Sequence, residues 1–172
     1  MTELDCDLRN DRRGPVRRVH FHDPAAPPAT VVTPSVFVAV RDEVGRLLLV
    51  RRFDSGAWEL PGGRVDVGEN AVEAAVRETA EESGLRVRIT GLVGLFTDPN
   101  HIVVSAERDE ARQQFVVVFH ASPVAGRLVA DRRETTDVAW FDSGEVMGLP
   151  LEPGARQWLR CALSAATVPH FE

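Results

Sequence analysis

The sequence predicts a single α/β domain in which helices pack against a mixed β-sheet. Short apolar segments that are typical of strands lie on both sides of a helical segment in the middle of the chain, and a second helical segment lies near the C-terminus. This order of strands and helices is typical of a layered α/β fold. A chain of 172 residues, of which 44% are hydrophobic and 27% charged, is long enough to bury one core.

The strands are predicted from short apolar runs, and the helices from apolar residues at helical spacing. Strands are expected at 35–40, 46–51, 58–60, 87–96, 114–121 and 136–141, with a further short one at 127–129. The strand at 87–96 is expected to bend at Gly91 or Gly94. Gly84 is expected to end the middle helix, a C-terminal helix is expected over 153–165, and the polar residues 97–112 are expected to form a loop.

Composition and charge exclude several classes of protein. A net charge of −6 argues against sequence-independent binding of nucleic acid. No apolar run reaches the length of a membrane span, and the polar N-terminus lacks the apolar core of a signal peptide. Cys6 and Cys161 are far apart and lack metal-binding spacing, so we interpret them as free thiols in a reducing compartment. A cytoplasmic protein is the resulting expectation.

Residues 1–33 show no clear period and are expected to form an N-terminal extension, partly ordered or contributing an edge strand, ahead of the main domain at 34–172. The alternative is a basic arm that contacts a phosphate or the partner subunit of a homodimer. That alternative rests on a cluster of basic residues, Arg12, Arg13, Arg17 and Arg18. His20 and His22 alternate as on a strand, but no third metal ligand is apparent beside them.

The most informative segment is 62–85, where a glycine pair precedes a helix that carries clustered charges. Glu78, Glu81 and Glu82 are three and four residues apart, so they project from one helix face, where like charges repel by about a few tenths of a kcal/mol per pair. A hard divalent cation such as Mg²⁺ would explain this arrangement, because it prefers oxygen ligands. The alternative is a solvated acidic helix. The opposite face is predicted to pack on the core through Ala71, Val72, Ala75, Val76 and Thr79.

This segment resembles the Nudix box, G-x5-E-x7-R-E-U-x-E-E-x-G-U, in which U is a bulky aliphatic residue. The matching residues are Gly63, Glu69, Arg77, Glu78, Glu81, Glu82, Gly84 and Leu85. Thr79 departs from the pattern at the first U position, but a β-branched side chain can still pack there. The approach G-x-W-x-L-P-G-G at 56–63 and the later V-A-W-F are also Nudix-like, so the resemblance covers roughly residues 34–165.

The resemblance implies an α/β/α sandwich with a central mixed β-sheet, and hydrolysis of a nucleoside diphosphate linked to another group. It implies Mg²⁺ as the cofactor, for which Mn²⁺ can substitute. Glu78 and Glu82 are the implied metal ligands, followed by Glu81 and the carbonyl of Gly62. Two further residues have supporting roles: Arg77 would orient a carboxylate, and Glu69 would support the ligands or bind a further metal ion.

Further site residues are expected outside the box. Glu134 is a candidate for an additional catalytic carboxylate, as are Glu107 and Glu110 in the expected loop. The candidates for binding phosphate oxygens are Arg51, Arg52 and Arg64. Trp58 could stack on a base or sugar, or close the core beneath the glycine loop, and Asp98 and His101 could line the substrate entrance.

The resemblance leaves three functions open. A nucleoside diphosphate-sugar such as ADP-ribose is favoured as the substrate, partly because Pro99 lies where ADP-ribose pyrophosphatases carry a proline. The first alternative is a housecleaning nucleoside triphosphate pyrophosphohydrolase. The second is a non-catalytic nucleotide-sensing module, but such modules typically lose glutamates of the box, and this chain keeps all of them. The chain has no Tyr, which argues against a dinucleoside-polyphosphate hydrolase.

Overall fold

The computed structural model describes residues 17–105 and 109–172. The strands among these residues are β1 (Arg17–Phe21), β2 (Val31–Val40), β3 (Leu47–Arg52), β4 (Trp58–Glu59), β5 (Gly62–Arg64), β6 (Leu85–Phe96), β7 (His101–Ser105), β8 (Glu110–Gly126), β9 (Thr135–Phe141) and β10 (His170–Phe171). The helices are α1 (Ala71–Ser83), α2 (Ser143–Val146) and α3 (Ala155–Leu163). No helix in the described part of the chain is both long and apolar enough to span a membrane.

The strands form two sheets, and the larger one is mixed. Its order is β1-β7-β8-β2-β5, with β6 pairing to another stretch of the long strand β8 and β10 pairing to β6. Strands β2 and β8 are parallel, as are β6 and β10, whereas the other pairs in this sheet are antiparallel. The smaller sheet has the order β4-β3-β9. The predicted α/β class with a mixed sheet is confirmed.

Strand β2 forms the centre of the fold because both of its faces are buried. Val36, Val38 and Val40 pack in one cluster with Ala74 and Ala75 of α1. Phe37 and Ala39, which point the other way, pack in a second cluster with Trp158 and Leu159 of α3. A strand that is covered on both faces is expected to be continuously apolar rather than alternating. The helices therefore lie on opposite sides of the sheet, as in the predicted sandwich.

Helix α1 ends at the predicted Gly84, and its buried face is largely the predicted one, since Ala75 and Thr79 are buried and Ala71 and Val76 pack against the core. Asn70 caps its N-terminus, and Gly84 ends it with a φ of 76°. Val72, predicted to face the core, is 45% exposed. The buried residues are Ala74, Ala75, Thr79, Glu82 and Ser83. Thr79 packs fully buried, and its hydroxyl donates to the carbonyl of Ala75 at 2.7 Å.

Two local predictions were wrong and one was confirmed. Residues 97–112 are not a continuous loop, because β7 lies within them and pairs with both β1 and β8. No strand forms at 127–129. The predicted irregularity of β6 is confirmed, since its register against β8 shifts at Gly91 and again at Gly94. The proposed boundary at 33/34 stays a prediction; β1 lies at the sheet edge, and β2 begins before that boundary.

Candidate active site

A polar cavity of about 270 Å³ lies where the glycine loop meets helix α1. Its walls include seven residues that the sequence analysis assigned to the site: Arg52, Gly62, Arg64, Arg77, Glu78, Glu81 and Glu134. Glu82 lies just behind this wall, 3% exposed. The fold therefore brings the box residues together with a carboxylate that is more than fifty positions away from Glu81 in the sequence.

The two glycines of the loop lie directly against two glutamates of α1. The N–H of Gly62 donates to Oε2 of Glu82 at 2.9 Å. A Cβ atom on Gly63 would lie 2.6 Å from the carboxylate carbon of Glu78, so any larger residue would displace that carboxylate. A Cβ on Gly62 would collide with the carbonyl of Val36. Glycine at both positions is therefore required for the loop to approach the helix and strand β2 this closely.

Arg77 organises the carboxylates around the cavity. Its Nη2 and Nε donate to the two oxygens of Glu69 at 2.5 and 3.0 Å. Its Nη1 contacts Oε1 of Glu78 at 2.8 Å and Oε2 of Glu81 at 3.3 Å. The hydrogen bonds from Arg77 and from the N–H of Asp66 lower the pKa of Glu69 to about 2. Arg77 therefore orients the surrounding carboxylates, and its contact with both oxygens of Glu69 is bidentate.

Burial raises the pKa values of the two inner glutamates. Burial raises the pKa of Glu78 to about 7. The charges of Glu81 and Glu134 add to this shift, and Arg77 opposes it. Burial also raises the pKa of Glu82, and Arg52 only partly offsets this effect. Removing a carboxylate from water disfavours its charged form unless positive charge is supplied. These two positions therefore favour a bound cation.

A buried guanidinium, that of Arg52, lies behind the carboxylates. Its side chain is 4% exposed, and its nitrogens lie 3.2 to 3.5 Å from oxygens of Asp54, Glu59, Glu82 and Glu134. Burial alone would lower the pKa of Arg52, but the charges of Glu59 and Glu82 raise it above its ordinary value. The sequence predicts Arg52 as a contact for phosphate oxygens, whereas in the structure its guanidinium has four carboxylate partners.

Sequence reasoning missed Asp54 and Glu59 as members of this network. Glu59 is 2% exposed and contacts Arg17 Nη2 at 2.5 Å as well as Arg52. One signal was present in the sequence, because Glu59 is an acid between Trp58 and Leu60, both of which are apolar. A charge at a buried strand position requires a partner, but nothing in the sequence identified Arg17 and Arg52 as those partners.

Arg51 and Trp58 do not line the cavity. Arg51 is exposed and donates through Nε to the carbonyl of Gly56 at 2.9 Å. It points away from Arg52 because successive side chains of a strand alternate. Trp58 is 9% exposed and packs edge-on against Phe141 in the core, with ring centroids 4.8 Å apart. The packing of Trp58 corresponds to the alternative of closing the core beneath the glycine loop.

Asp98 and His101 also lie outside this cavity. Asp98 accepts from Nε2 of His22 at 2.5 Å and from the backbone of Asn100. His101 is 5% exposed and packs against Phe21 and Trp158. Burial lowers its pKa to about 4, so it is neutral near pH 7. Of the loop glutamates, Glu110 lies 3.7 Å from Arg64, and Glu107 lies outside the described residues.

The donors at the cavity fit a hard divalent cation. Within 17–105 and 109–172, no three Asp, Glu, His or Cys side chains converge as a complete metal site. Mg²⁺ does not need such a site, because proteins usually hold it through one or two carboxylates together with waters and substrate phosphates. Glu78 and Glu82 supply buried carboxylates with raised pKa values, and Glu81 adds an exposed one. Glu69 fits a metal less well, since Arg77 engages both of its oxygens.

Glu81→Gln is expected to change the stability of the metal-free protein by no more than a few tenths of a kcal/mol. The side chain is 58% exposed and loses one ion pair with Arg77, while repulsion with Glu78 is relieved. Urea unfolding in EDTA would measure this change. Mg²⁺ should then raise the melting temperature of the wild type more than that of the variant. A large loss of stability without metal would instead identify Glu81 as a structural partner.

Comparisons with known proteins identify the family of this chain. The family model of the NUDIX domain matches residues 31–161. The chain is 38% identical over 114 residues to a putative 8-oxo-dGTP diphosphatase from Bacillus subtilis, covering 66% of this chain and 69% of that protein. It is 33% identical over 113 residues to an ADP-ribose pyrophosphatase from Methanocaldococcus jannaschii, covering 63% of this chain and 62% of that protein. The chain thus spans about two thirds of the length of these relatives.

Solved structures show the same architecture. An ADP-ribose pyrophosphatase from Streptococcus suis superposes with a TM-score of 0.61 at 25% identity, covering 81% of this chain and 96% of that one. A MutT protein from Methanosarcina mazei superposes with a TM-score of 0.60 at 25% identity, covering 80% and 96%. With the box residues assembled around one cavity and the family model matching most of the chain, this protein belongs to the Nudix family of pyrophosphate-bond hydrolases.

Proposed function

We propose that this protein is a Mg²⁺-dependent hydrolase that cleaves the pyrophosphate bond of a nucleoside diphosphate linked to another group, with Mn²⁺ able to substitute. The observation that carries the proposal is a single cavity that has carboxylates from α1 and Glu134 together with several guanidinium groups. The carboxylates suit a cation, and the guanidinium groups suit phosphate oxygens.

The residues of the cavity have two kinds of role, which are binding the metal ion and the phosphates and accepting a proton from water. When bound, a divalent cation supplies positive charge at the pyrophosphate and polarises an attacking water. Glu78, Glu81, Glu82 and the carbonyl of Gly62 are the proposed ligands. Arg77 keeps Glu78 and Glu81 in place through its Nη1, and Arg64, 27% exposed on the cavity wall, is available to phosphate oxygens.

Glu134 is the proposed acceptor of the proton from water. Its side chain is 46% exposed on the cavity wall, so water can reach it, and Oε2 lies 3.4 Å from Nη1 of the buried Arg52. That contact fixes the carboxylate relative to the network that also holds Glu82. The side chain is therefore positioned by the protein rather than by the substrate, as a general base should be.

Glu134→Gln is expected to lower kcat by about 10²-fold with little change in KM, because the amide cannot accept the proton while the shape of the cavity is kept. Steady-state kinetics with Mg²⁺ would measure this effect. The matched control is Glu43→Gln, which removes the same charge from an exposed turn and should leave the kinetics unchanged. Wild-type rates for Glu134→Gln would remove this residue from the site.

Glu110 lies beside Arg64, and Glu110→Gln is expected to alter KM.

A nucleoside diphosphate-sugar such as ADP-ribose is the favoured substrate, and a nucleoside triphosphate is the alternative. The relative named ADP-ribose pyrophosphatase supports the first, and the relative named putative 8-oxo-dGTP diphosphatase supports the second. Product formation from a panel of both classes, with and without Mg²⁺, would rank them. Binding without hydrolysis across the panel would instead support a nucleotide-sensing module.

A homodimer is a further expectation, which sedimentation analysis would test.

A further inference from the structure

Asp54 and Glu59 are shared between the buried Arg52 and a second arginine, Arg17 of β1. Oδ2 of Asp54 lies 3.6 Å from Nε of Arg17 and 3.2 Å from Nη2 of Arg52. Oε1 of Glu59 lies 2.5 Å from Nη2 of Arg17 and 3.5 Å from Nε of Arg52. The side chains of both acids are 3% exposed, so their carboxylates require the positive charges beside them. The two arginines and the two carboxylates therefore form one buried ionic network.

Asp54 fixes the orientation of the Arg52 guanidinium group. Nε and Nη2 of Arg52 donate to the two carboxylate oxygens of Asp54 at 3.3 and 3.2 Å. A bidentate contact of this kind fixes the plane of the guanidinium group as well as its position. The third nitrogen, Nη1, lies 3.4 Å from Oε1 of Glu82 and 3.4 Å from Oε2 of Glu134. The orientation that Asp54 imposes therefore directs Nη1 toward both the proposed metal ligand and the proposed proton acceptor.

Arg17 holds Asp54 and Glu59 in place from strand β1. Its backbone N–H donates to Oδ2 of Asp54 at 3.3 Å, in addition to the side-chain contacts with both acids. The pairing of β1 with β7 fixes this backbone. Without the Arg17 guanidinium group, Arg52 would be the one cation left to Asp54 and Glu59 among the described ion pairs. Their attraction would then draw Arg52 away from its contacts beside the cavity.

We propose that Arg17 and Asp54 are positioning residues for the reaction and act through Arg52. In this role they contact neither substrate nor metal, but fix the guanidinium group that holds Glu82 and Glu134. Removing a group that supports metal ligands from behind typically costs about 10- to 100-fold in metal affinity or activity. The inference rests on the proposed function, which assigns the metal ion to Glu82 and the proton of water to Glu134. Arg17 lies outside the residues 31–161 that match the family model, so the family match does not account for its role.

Arg17→Gln is expected to lower kcat by about tenfold or more with little change in KM, because it displaces the reacting groups and not the substrate. Steady-state kinetics with Mg²⁺, well below the melting temperature of each variant, would measure this effect. Arg18→Gln is the matched control, since it removes the same charge from an exposed position of β1 and should leave the kinetics unchanged. An unchanged kcat would overturn the proposal, and a raised KM in its place would identify Arg17 as a substrate contact.

Asp54→Asn should lower kcat in the same way, because a neutral amide cannot form the bidentate ion pair with Arg52. This second variant keeps the test decisive if Arg17→Gln fails to fold. A wild-type kcat for Asp54→Asn would overturn the proposal.

Removing the charge of Glu59 together with that of Arg17 provides a rescue test. In Arg17→Gln, Glu59 has lost its nearer cation and competes for Arg52. The double variant Arg17→Gln/Glu59→Gln removes this competition, so its kcat should exceed that of Arg17→Gln by about threefold or more. Loss of a direct substrate contact could not be compensated in this way. A double variant that is no faster than Arg17→Gln would overturn the proposal.

Binding of Mn²⁺ without substrate, measured by calorimetry, gives a readout that does not depend on hydrolysis. Removing a positive charge near the carboxylates would by itself strengthen the binding of a cation, whereas displacing Glu82 weakens it. The proposal predicts the second result, with binding by Arg17→Gln weakened by about tenfold. Equal binding by the wild type and the variant, or tighter binding by the variant, would overturn the positioning role.

The two measurements separate this inference from the proposed function. No hydrolysis of any substrate by the wild type with Mg²⁺ or Mn²⁺ would reject the proposed function, and the Mn²⁺ titration would still decide the role of Arg17. Hydrolysis by the wild type together with wild-type kinetics in Arg17→Gln and Asp54→Asn would reject the positioning role alone.

Discussion

Glu82→Gln is expected to lower kcat by about 10²-fold or more, and hydrolysis by the wild type is expected to stop in excess EDTA. Glu82 is 3% exposed, accepts from the N–H of Gly62 and has its pKa raised by burial. A buried carboxylate of this kind is well placed to hold a cation, and the neutral amide removes the charge at nearly constant volume. Steady-state kinetics at saturating Mg²⁺ would measure the loss.

Metal-dependent stabilisation provides the control for this prediction. A cation that binds only the folded protein raises its melting temperature. Mg²⁺ should therefore raise the melting temperature of the wild type and of Glu43→Gln equally, and that of Glu82→Gln much less. Similar melting temperatures in EDTA would show that Glu82→Gln is folded. Full activity of the wild type in EDTA would disprove the metal requirement and with it the assigned role of Glu82.

Arg52→Met is expected to destabilise the protein by about 3–5 kcal/mol, the usual result of removing one partner from a buried ionic cluster. Arg52 is 4% exposed and contacts Glu59 and Glu82, which are themselves buried. Without the guanidinium group of Arg52, Glu82 loses its main opposing charge, and Glu59 keeps only that of Arg17. Chemical denaturation at pH 8 would measure the change in unfolding free energy.

Arg51→Met is the matched control, because it makes the same substitution one residue earlier on β3 at an exposed position. Its unfolding free energy should stay within about 0.5 kcal/mol of the wild type.

The deficit of Arg52→Met should depend on pH. Burial already raises the pKa values of Glu59 and Glu82, and losing Arg52 raises them further. Carboxyl groups with raised pKa values stabilise the fold when protonated, and that contribution is lost as pH rises. The deficit should therefore shrink between pH 8 and pH 5. A deficit that is equal at both pH values, or no deficit at all, would show that Arg52 does not neutralise these groups.

The predictions that held for the fold rest on local signals. Gly84 ends helix α1 because a left-handed residue is needed there, and glycine adopts that conformation without strain. The apolar run at 35–40 predicted a strand, and β2 forms there. Strand β7 was missed because its five residues lie between polar segments, and pairing with β1 and β8 stabilises it.

The sequence by itself determined the family and the grouping of the box residues, because both depend on spacing along one loop and one helix. It also determined the mixed α/β architecture, which follows from the order of the strands and helices. Only the tertiary structure decided which distant residues join them. It places Glu134 and Arg17 at the cavity and Trp58 in the core, and it surrounds Arg52 with carboxylates. Strand pairing and the alternation of side chains on β3 decide these positions, and both depend on contacts between residues far apart in the sequence.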